Sequence, residues 1–352
     1  MLLRRILFAP VTLLIGMALA LRHALYDAGL LRRTRPAVPT IAIGNLALGG
    51  TGKTPLLELV LRTLHGTAPI AALSRGYGRN GTDFHEVLAE DGPERSGDEP
   101  VQVKRNFPAA RVFVGADRVA AIAAIQCTAP DVKAVVLDDA LQHRALDAGL
   151  TILLTTWQRP YCDDALVPAG RLRDLRSRAA AAQVVVVSKC PALPDPVQQQ
   201  QWRDRLGLAG PQQLFFAGID HEAPRMVDGR PSPGDPHAAQ VLLVTGIADP
   251  APLVTHARTV FAAVEHAAFA DHHVFSASDV QGLAARMAKF APGPAMLVTT
   301  QKDAVRLLPL LKGAAWGAIP VAVIGMRTVI LNEPERFADL LRRHVATHPA
   351  HR

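Results

Sequence analysis

Aromatic residues make up only 5% of this 352-residue chain. Binding unpaired bases needs aromatic stacking platforms, so a single-stranded nucleic-acid partner is disfavoured. No zinc-finger, homeodomain or RNA-recognition spacing occurs, which argues against nucleic acid more generally. Cysteine is nearly absent. Cys127, Cys162 and Cys190 lie far apart, which excludes a disulfide framework and a cysteine metal site and points to a reducing compartment. The N-terminal apolar run, residues 6–21, has 16 uncharged residues and falls short of the about 20 that a bilayer-spanning helix needs. Acidic residues do not predominate: Lys and Arg total 38 against 31 Asp and Glu, for a net charge of +7. That balance favours an anionic partner.

The apolar run carries Pro10 and Gly16, follows Arg4 and Arg5, and precedes Arg22, His23, Arg32, Arg33 and Arg35. No small-residue cleavage site marks it as a secretory signal. It reads as a helix in, or dipping into, the cytoplasmic leaflet of the inner membrane, with arginines on anionic headgroups. A hydrophobic helix packed on its own domain is the alternative.

The strongest local signal is Gly44-Asn45-Leu46-Ala47-Leu48-Gly49-Gly50-Thr51-Gly52-Lys53-Thr54-Pro55. A short apolar strand precedes it and a helical pattern follows, which is the layout of a phosphate-binding P-loop. Gly49, Gly50, Thr51 and Gly52 bring main-chain N–H groups onto phosphate oxygens, and the helix N-terminus adds partial positive charge. Lys53 reaches the β- and γ-phosphates, and the Thr54 hydroxyl ligates Mg²⁺. Ala47 stands where the usual pattern has glycine. ATP and Mg²⁺ are the expected cofactors.

Continuous apolar strands at residues 70–73, 112–114, 134–137, 151–154 and 184–187 alternate with helical stretches. They argue a parallel sheet covered on both faces, with ligands at the carboxyl ends of the strands. The polar motifs fall at those ends. Asp138 and Asp139 follow the 134–137 strand and suit Mg²⁺ binding, with Gln142 and His143 close behind. Gly97-Asp98-Glu99-Pro100 frames a carboxylate able to accept a hydroxyl proton (Asp98) and a second one near the metal (Glu99). Arg75 and Tyr77 sit in one glycine-rich loop, and Arg171 in another; both loops suit an anionic substrate. Asp271-His272-His273 offers a carboxylate–imidazole pairing or a surface turn.

The ordered series resembles one family, the tetraacyldisaccharide 4'-kinases. It runs from the basic-flanked N-terminal helix through the P-loop, Ser74-Arg75-Gly76-Tyr77-Gly78, Gly97-Asp98-Glu99-Pro100, Asp138-Asp139 and Pro168-Ala169-Gly170-Arg171-Leu172-Arg173. It ends with Phe269-Ala270-Asp271-His272-His273 and Thr299-Thr300-Gln301-Lys302-Asp303. The resemblance implies transfer of the ATP γ-phosphate to the 4'-hydroxyl of a tetraacylated glucosamine disaccharide 1-phosphate in lipid A biosynthesis. It implies catalytic roles for Lys53, Asp98 with His272 (or His273), Asp138 and Asp139; metal contacts from Thr54, Glu99 and Asp138; and substrate contacts from Arg75, Tyr77, Gln142 and Arg171. Ala140 and Asp174 depart from the family pattern, which more often has glycine and glutamate there.

The expected architecture is α/β: a P-loop NTPase-like parallel-sheet domain plus a second, smaller α/β domain, with an N-terminal membrane-associated helix. The boundaries read as 1–34 for the helix region, 35–205 for the kinase domain, 206–238 for a ribbon or linker, and 239–352 for the smaller domain closed by the C-terminal helix. The expected partners are the acylated disaccharide lipid and the membrane, and a monomer is favoured. A membrane-tethered regulatory P-loop ATPase is the competing function.

Overall fold

The computed structural model describes residues 7–229, 235–247, 249–271, 273–290, 292–311, 316 and 319–348. The expected linker stretch 230–234 and His272 lie outside the described residues.

The chain forms two compact units, one of residues 1–219 and 328–352 and the other of residues 220–327. The first begins with α1 (Ala9–Asp27) and continues with β1 (Thr40–Asn45), α2 (Lys53–Leu64), β2 (Ile70–Ser74), β3 (His85–Glu86), α3 (Asp98–Asn106), β4 (Arg111–Val114) and α4 (Arg118–Thr128). Then come β5 (Ala134–Leu137), β6 (Leu150–Thr156), β7 (Val184–Ser188), α5 (Pro196–Arg205) and β8 (Gln213–His221). The second unit holds β9 (Arg225–Met226), β10 (Gln240–Thr245), α6 (Ala251–Val260), β11 (Ala263–Ala268), α7 (Ala277–Met287), β12 (Ala295–Thr300), α8 (Gln301–Leu307) and β13 (Val321–Ile324). The chain closes with β14 (Met326–Ile330) and α9 (Pro334–Ala346).

The larger sheet has the order β14-β8-β7-β6-β1-β5-β2-β4-β3. β1 runs parallel to β5 and β6, β2 to β4 and β5, and β7 to β6 and β8, while the short β3 pairs antiparallel with β4. The period-two alternation of side chains explains the uninterrupted apolar strands. Ile41 and Ile43 point into a cluster with Leu56, Leu57, Val60 and Phe337, whereas Ala42 and Leu137 point into another with Ile122 and Ile125. β1 ends in the middle of the sheet, so its loop and α2 sit at the carboxyl edge where ligands bind in open parallel sheets.

Two sequence expectations differ from the structure. Residues 214–219 and 225–227 do not form a ribbon: β8 joins the large sheet and β9 pairs antiparallel with β13 in the five-stranded sheet β11-β10-β12-β13-β9. The C-terminal helix does not close the smaller unit. Phe337, Leu341 and Val345 form an i, i+4, i+8 stripe that packs in the same cluster as Ile41 and Leu57, with the Phe337 ring 5.1 Å from that of Phe215. Each such ring contributes about 1.5–3 kcal/mol by burial, so α9 stays with the larger unit.

Among the described residues, α1 is the helix long and apolar enough to cross a membrane. His23 is its buried residue, while Leu13, Leu14, Met17 and Leu21 are each 60% exposed or more. One face of α1 is partly buried around His23, while a core helix would also bury the apolar face that Leu13, Leu14, Met17 and Leu21 leave exposed.

Candidate active site

The P-loop is built on β1 and α2. Gly52 caps α2 with φ +88°, a left-handed conformation that side chains rarely adopt. Lys53 and Thr54 open the helix, so its unpaired N–H groups face the loop. Ala47 fits because the loop is extended there: it pairs antiparallel with Leu172. The Leu48 N–H donates to the Arg171 carbonyl and the Arg173 N–H to the Leu46 carbonyl, both at 2.8 Å. Residues 171–173 thus act as a short added strand along the phosphate loop. Asn45 braces the loop from within, its Nδ2 donating to the Ala47 carbonyl (2.7 Å) and to Thr51 Oγ1 (2.8 Å). Ser188 Oγ donates to the Thr51 carbonyl at 2.7 Å. A cleft beside the loop is lined by Leu48, Gly49, Gly50, Thr51, Arg159 and Arg171.

The acidic pair follows β5. Asp139 has φ +49°, a strained value that carboxamide and carboxylate residues tolerate best. Its Oδ2 lies 3.9 Å from Lys53 Nζ and accepts from Arg173 Nη1 at 2.8 Å, while its Oδ1 accepts from Arg173 Nη2. Arg173 Nη2 also donates to Asn45 Oδ1. Burial alone would raise the Asp139 carboxyl; the Arg173 hydrogen bond and the Lys53 charge win, and its pKa lies below the ordinary value. Asp138 behaves oppositely. It is 2% exposed, its Oδ1 has no hydrogen-bond partner among the described residues, and burial, then the charges of Glu99 and Asp139, push its pKa up to about 7. Two neighbouring carboxylates with pKa values driven apart are a functional signature.

Glu99 and Asp138 line one cleft with Ser74, Leu57 and Pro100. Asp98 and Glu99 are exposed in the first turn of α3, where the helix dipole favours negative charge. Their loop is pressed against the Arg75–Tyr77 loop. A Cβ on Gly97 would stand 3.1 Å from the Gly76 backbone and the Tyr77 carbonyl, and Gly97 itself has φ +91°. Glycine is required there on both counts. Exposed Arg75 and Tyr77 therefore neighbour the Asp98 turn. Behind it, Ser96 Oγ donates to Asp91 Oδ2 (2.8 Å) and is 2.9 Å from His85 Nε2.

The remaining expected residues are placed as follows. Gln142 Nε2 donates to the Asn45 carbonyl at 2.8 Å, so its amide braces the end of β1. Arg171 is tied through Nε to Asp164 Oδ2 at 2.9 Å. His143 lies 3.7 Å from Asp117, and burial, then the charge of Arg118, lowers its pKa. His273 Nε2 is 3.0 Å from Asp279 Oδ2, and His272 is outside the described residues. Sequence reasoning missed Asn45 and Arg173, which join the loop to Asp139. The available signal for Arg173 was the alternation Arg171-Leu172-Arg173, with Leu172 only 1% exposed.

No cluster of three or more His, Cys, Asp or Glu suited to a metal occurs among the described residues. That does not disfavour Mg²⁺, which typically takes one or two protein carboxylates and completes its shell with water and phosphate. The unpartnered, buried Asp138 oxygen is a donor that such an ion would satisfy.

A model of the tetraacyldisaccharide-1-P 4'-kinase (LpxK) family matches residues 4–346. A tetraacyldisaccharide 4'-kinase of Bacteroides fragilis (strain YCH46) is 39% identical across 85% of this chain and 82% of its own length. Its counterpart from Parabacteroides distasonis is 34% identical across 97% and 95%. A crystal structure of "apo" form LpxK from Aquifex aeolicus in complex with ATP superposes with a TM-score of 0.73 at 23% identity, covering 97% of this chain and 99% of that one. The last likeness is one of fold.

Proposed function

Since the chain belongs to the tetraacyldisaccharide-1-P 4'-kinase family and is a tetraacyldisaccharide 4'-kinase of lipid A biosynthesis, we propose that residues 49–54 bind the triphosphate of ATP with Mg²⁺. The LpxK chain of like fold was crystallised with ATP. The observation that carries the reading is the pairing of Lys53 at the start of α2 with Asp139, beside the unpartnered Asp138. Thr54, Asp138 and Glu99 are the groups that would hold Mg²⁺, which when bound neutralises charge on the transferring phosphoryl group.

The chain's own residues do the rest. Main-chain N–H groups of the loop and Lys53 hold the β- and γ-phosphates. The 4'-hydroxyl oxygen attacks the γ-phosphorus, the bond to the β-phosphate oxygen breaks, ADP leaves, and the hydroxyl proton passes to Asp98. His272 is the proposed imidazole in that proton transfer, with His273 the alternative. Arg75, Tyr77, Gln142 and Arg171 are the proposed substrate-facing set, Gln142 through the loop it braces. The enzyme acts as a monomer at the cytoplasmic face of the inner membrane, with α1 in the leaflet beside its acylated substrate.

Incubating the purified protein with γ-labelled ATP and the disaccharide lipid tests this. Labelled lipid supports the kinase; ATP hydrolysis without labelled lipid supports the regulatory ATPase. Independently, replacing Leu13, Leu14, Met17 and Leu21 with glutamine is expected to weaken partitioning onto anionic vesicles by at least about a hundredfold, since each exposed apolar side chain contributes on the order of 1 kcal/mol. Nucleotide affinity should be unchanged. Undiminished co-sedimentation with vesicles would remove α1 from the membrane role.

A further inference from the structure

A buried polar pair in the larger unit joins the N-terminal helix to the segment beside the phosphate loop. His23, the buried residue of α1, has its Nε2 2.6 Å from Asp174 Oδ1; the residues are 5% and 1% exposed. Asp174 directly follows Arg173, whose guanidinium holds both Asp139 oxygens and Asn45, and whose N–H bonds the phosphate loop at Leu46. Other contacts bind the same end of α1 to the loop after the acidic pair. Arg22 Nη2 donates to the Gln142 carbonyl at 3.2 Å, and Arg144 Nη2 donates to Asp27 Oδ1 at 2.7 Å while its guanidinium lies over the Tyr26 ring.

From this we infer that His23 is a positioning residue for the nucleotide site, so that α1 serves the chemistry as well as the membrane. Asp174 Oδ2 and His23 Nδ1 have no hydrogen-bond partner among the described residues. Asp174 Oδ1 also accepts from the neighbouring Leu175 N–H, so His23 is the side chain that ties Asp174 to α1 and helps set the register of residues 171–173 along the loop. Loss of the imidazole leaves the buried carboxylate with only the Leu175 N–H, which donates to Oδ1 at 2.8 Å, and the backbone carrying Arg173 must shift to solvate it. Asp139 and Asn45, both held by Arg173, move with it. Sequence alone presents His23 as one more basic residue flanking an apolar run; its burial is what separates it from Arg22 and Arg32.

The inference rests on the nucleotide reading above, and its test separates the two. Full-length wild type, His23→Ala, His23→Gln and His23→Asn are compared in mixed micelles by binding of a fluorescent ATP analogue with Mg²⁺, by kcat and KM for both substrates, and by vesicle partitioning. Glutamine places an N–H near the position of Nε2, whereas asparagine stops short of Asp174. The expected result is about a tenfold loss in kcat with weaker nucleotide binding for His23→Ala and His23→Asn, the effect of one charge-assisted hydrogen bond. Lipid KM and partitioning stay within about twofold of wild type, and His23→Gln recovers most of the loss. Unaltered nucleotide binding and kcat in His23→Asn overturn the inference, as does a loss confined to lipid KM or partitioning, or a glutamine variant no better than asparagine. If His23→Ala does not fold, the glutamine–asparagine comparison decides alone. Failure of wild type to bind the nucleotide would instead refute the P-loop reading itself.

Discussion

Replacing Lys53 with alanine is expected to lower kcat for phosphoryl transfer by about three orders of magnitude, equivalent to about 4 kcal/mol of transition-state stabilisation. Lys53 is the first residue of α2, its side chain is only 15% exposed, and it stands 3.9 Å from Asp139. At that separation it is a weak partner for the carboxylate and is open to phosphate oxygens. Its removal does not strip Asp139 of its counter-charge, because Arg173 holds both carboxylate oxygens. The melting temperature should therefore change little while turnover collapses, and that combination distinguishes loss of chemistry from loss of fold. Lys53 also helps draw Asp138 towards its charged form, so the alanine variant makes that carboxyl harder still to ionise. Lys53→Arg should not restore the rate: a planar fork on a longer stem cannot replace a point charge between two phosphates. Turnover of Lys53→Ala within tenfold of wild type would show that the phosphoryl group travels by another route.

Legibility followed sequence distance. The P-loop and the Asp138-Asp139 pair are each contained in a few consecutive residues at a strand end, so their layout shows directly in the order of amino acids. The parallel sheet shows as well, because fully buried strands such as β1 and β7 carry no polar interruptions. What joins these motifs does not show. Arg173 lies 34 residues from Asp139 and 128 from Asn45, and only the antiparallel pairing of Ala47 with Leu172 brings them together. Arg171 and Arg173 look alike in sequence, yet one is steadied through its Nε by Asp164 and the other clasps Asp139. The C-terminal helix has a clear apolar stripe, but a stripe states that a helix is covered, not by what. Adjacency suggested the smaller unit; Phe215, Leu341 and Ile41 share a core instead. His23 illustrates the same limit, since the partner that buries it is 151 residues away.

Asp138→Asn is expected to give a protein that is more stable and nearly inactive. The folded-state pKa of Asp138 is about 7 against an ordinary value of 3.8, raised first by burial and then by Glu99 and Asp139. A raised carboxyl pKa means the folded chain retains a proton that the unfolded chain releases. Stability is thus lost as pH rises from about 4 to about 7, and the full cost is in place above 7. Asparagine neither ionises nor titrates, so it escapes this cost. In nucleotide-free protein without Mg²⁺ the variant should match wild type near pH 4 and exceed it increasingly up to pH 8, by at most about 4 kcal/mol at about 1.4 kcal/mol per pH unit of displacement. Chemical denaturation across that range measures the gap, and a pH-independent difference would contradict the assignment. Turnover should fall by about a hundredfold or more, since a neutral amide supplies no charge towards the metal. Mg²⁺ with a non-hydrolysable nucleotide should then narrow the stability gap, because it stabilises the charged wild-type carboxylate more than the amide. The sheet thus holds at its centre a group that is worst placed for stability when it stands alone and best placed when the cation and phosphates arrive, which is the trade expected of a site organised around its ligand rather than around its fold.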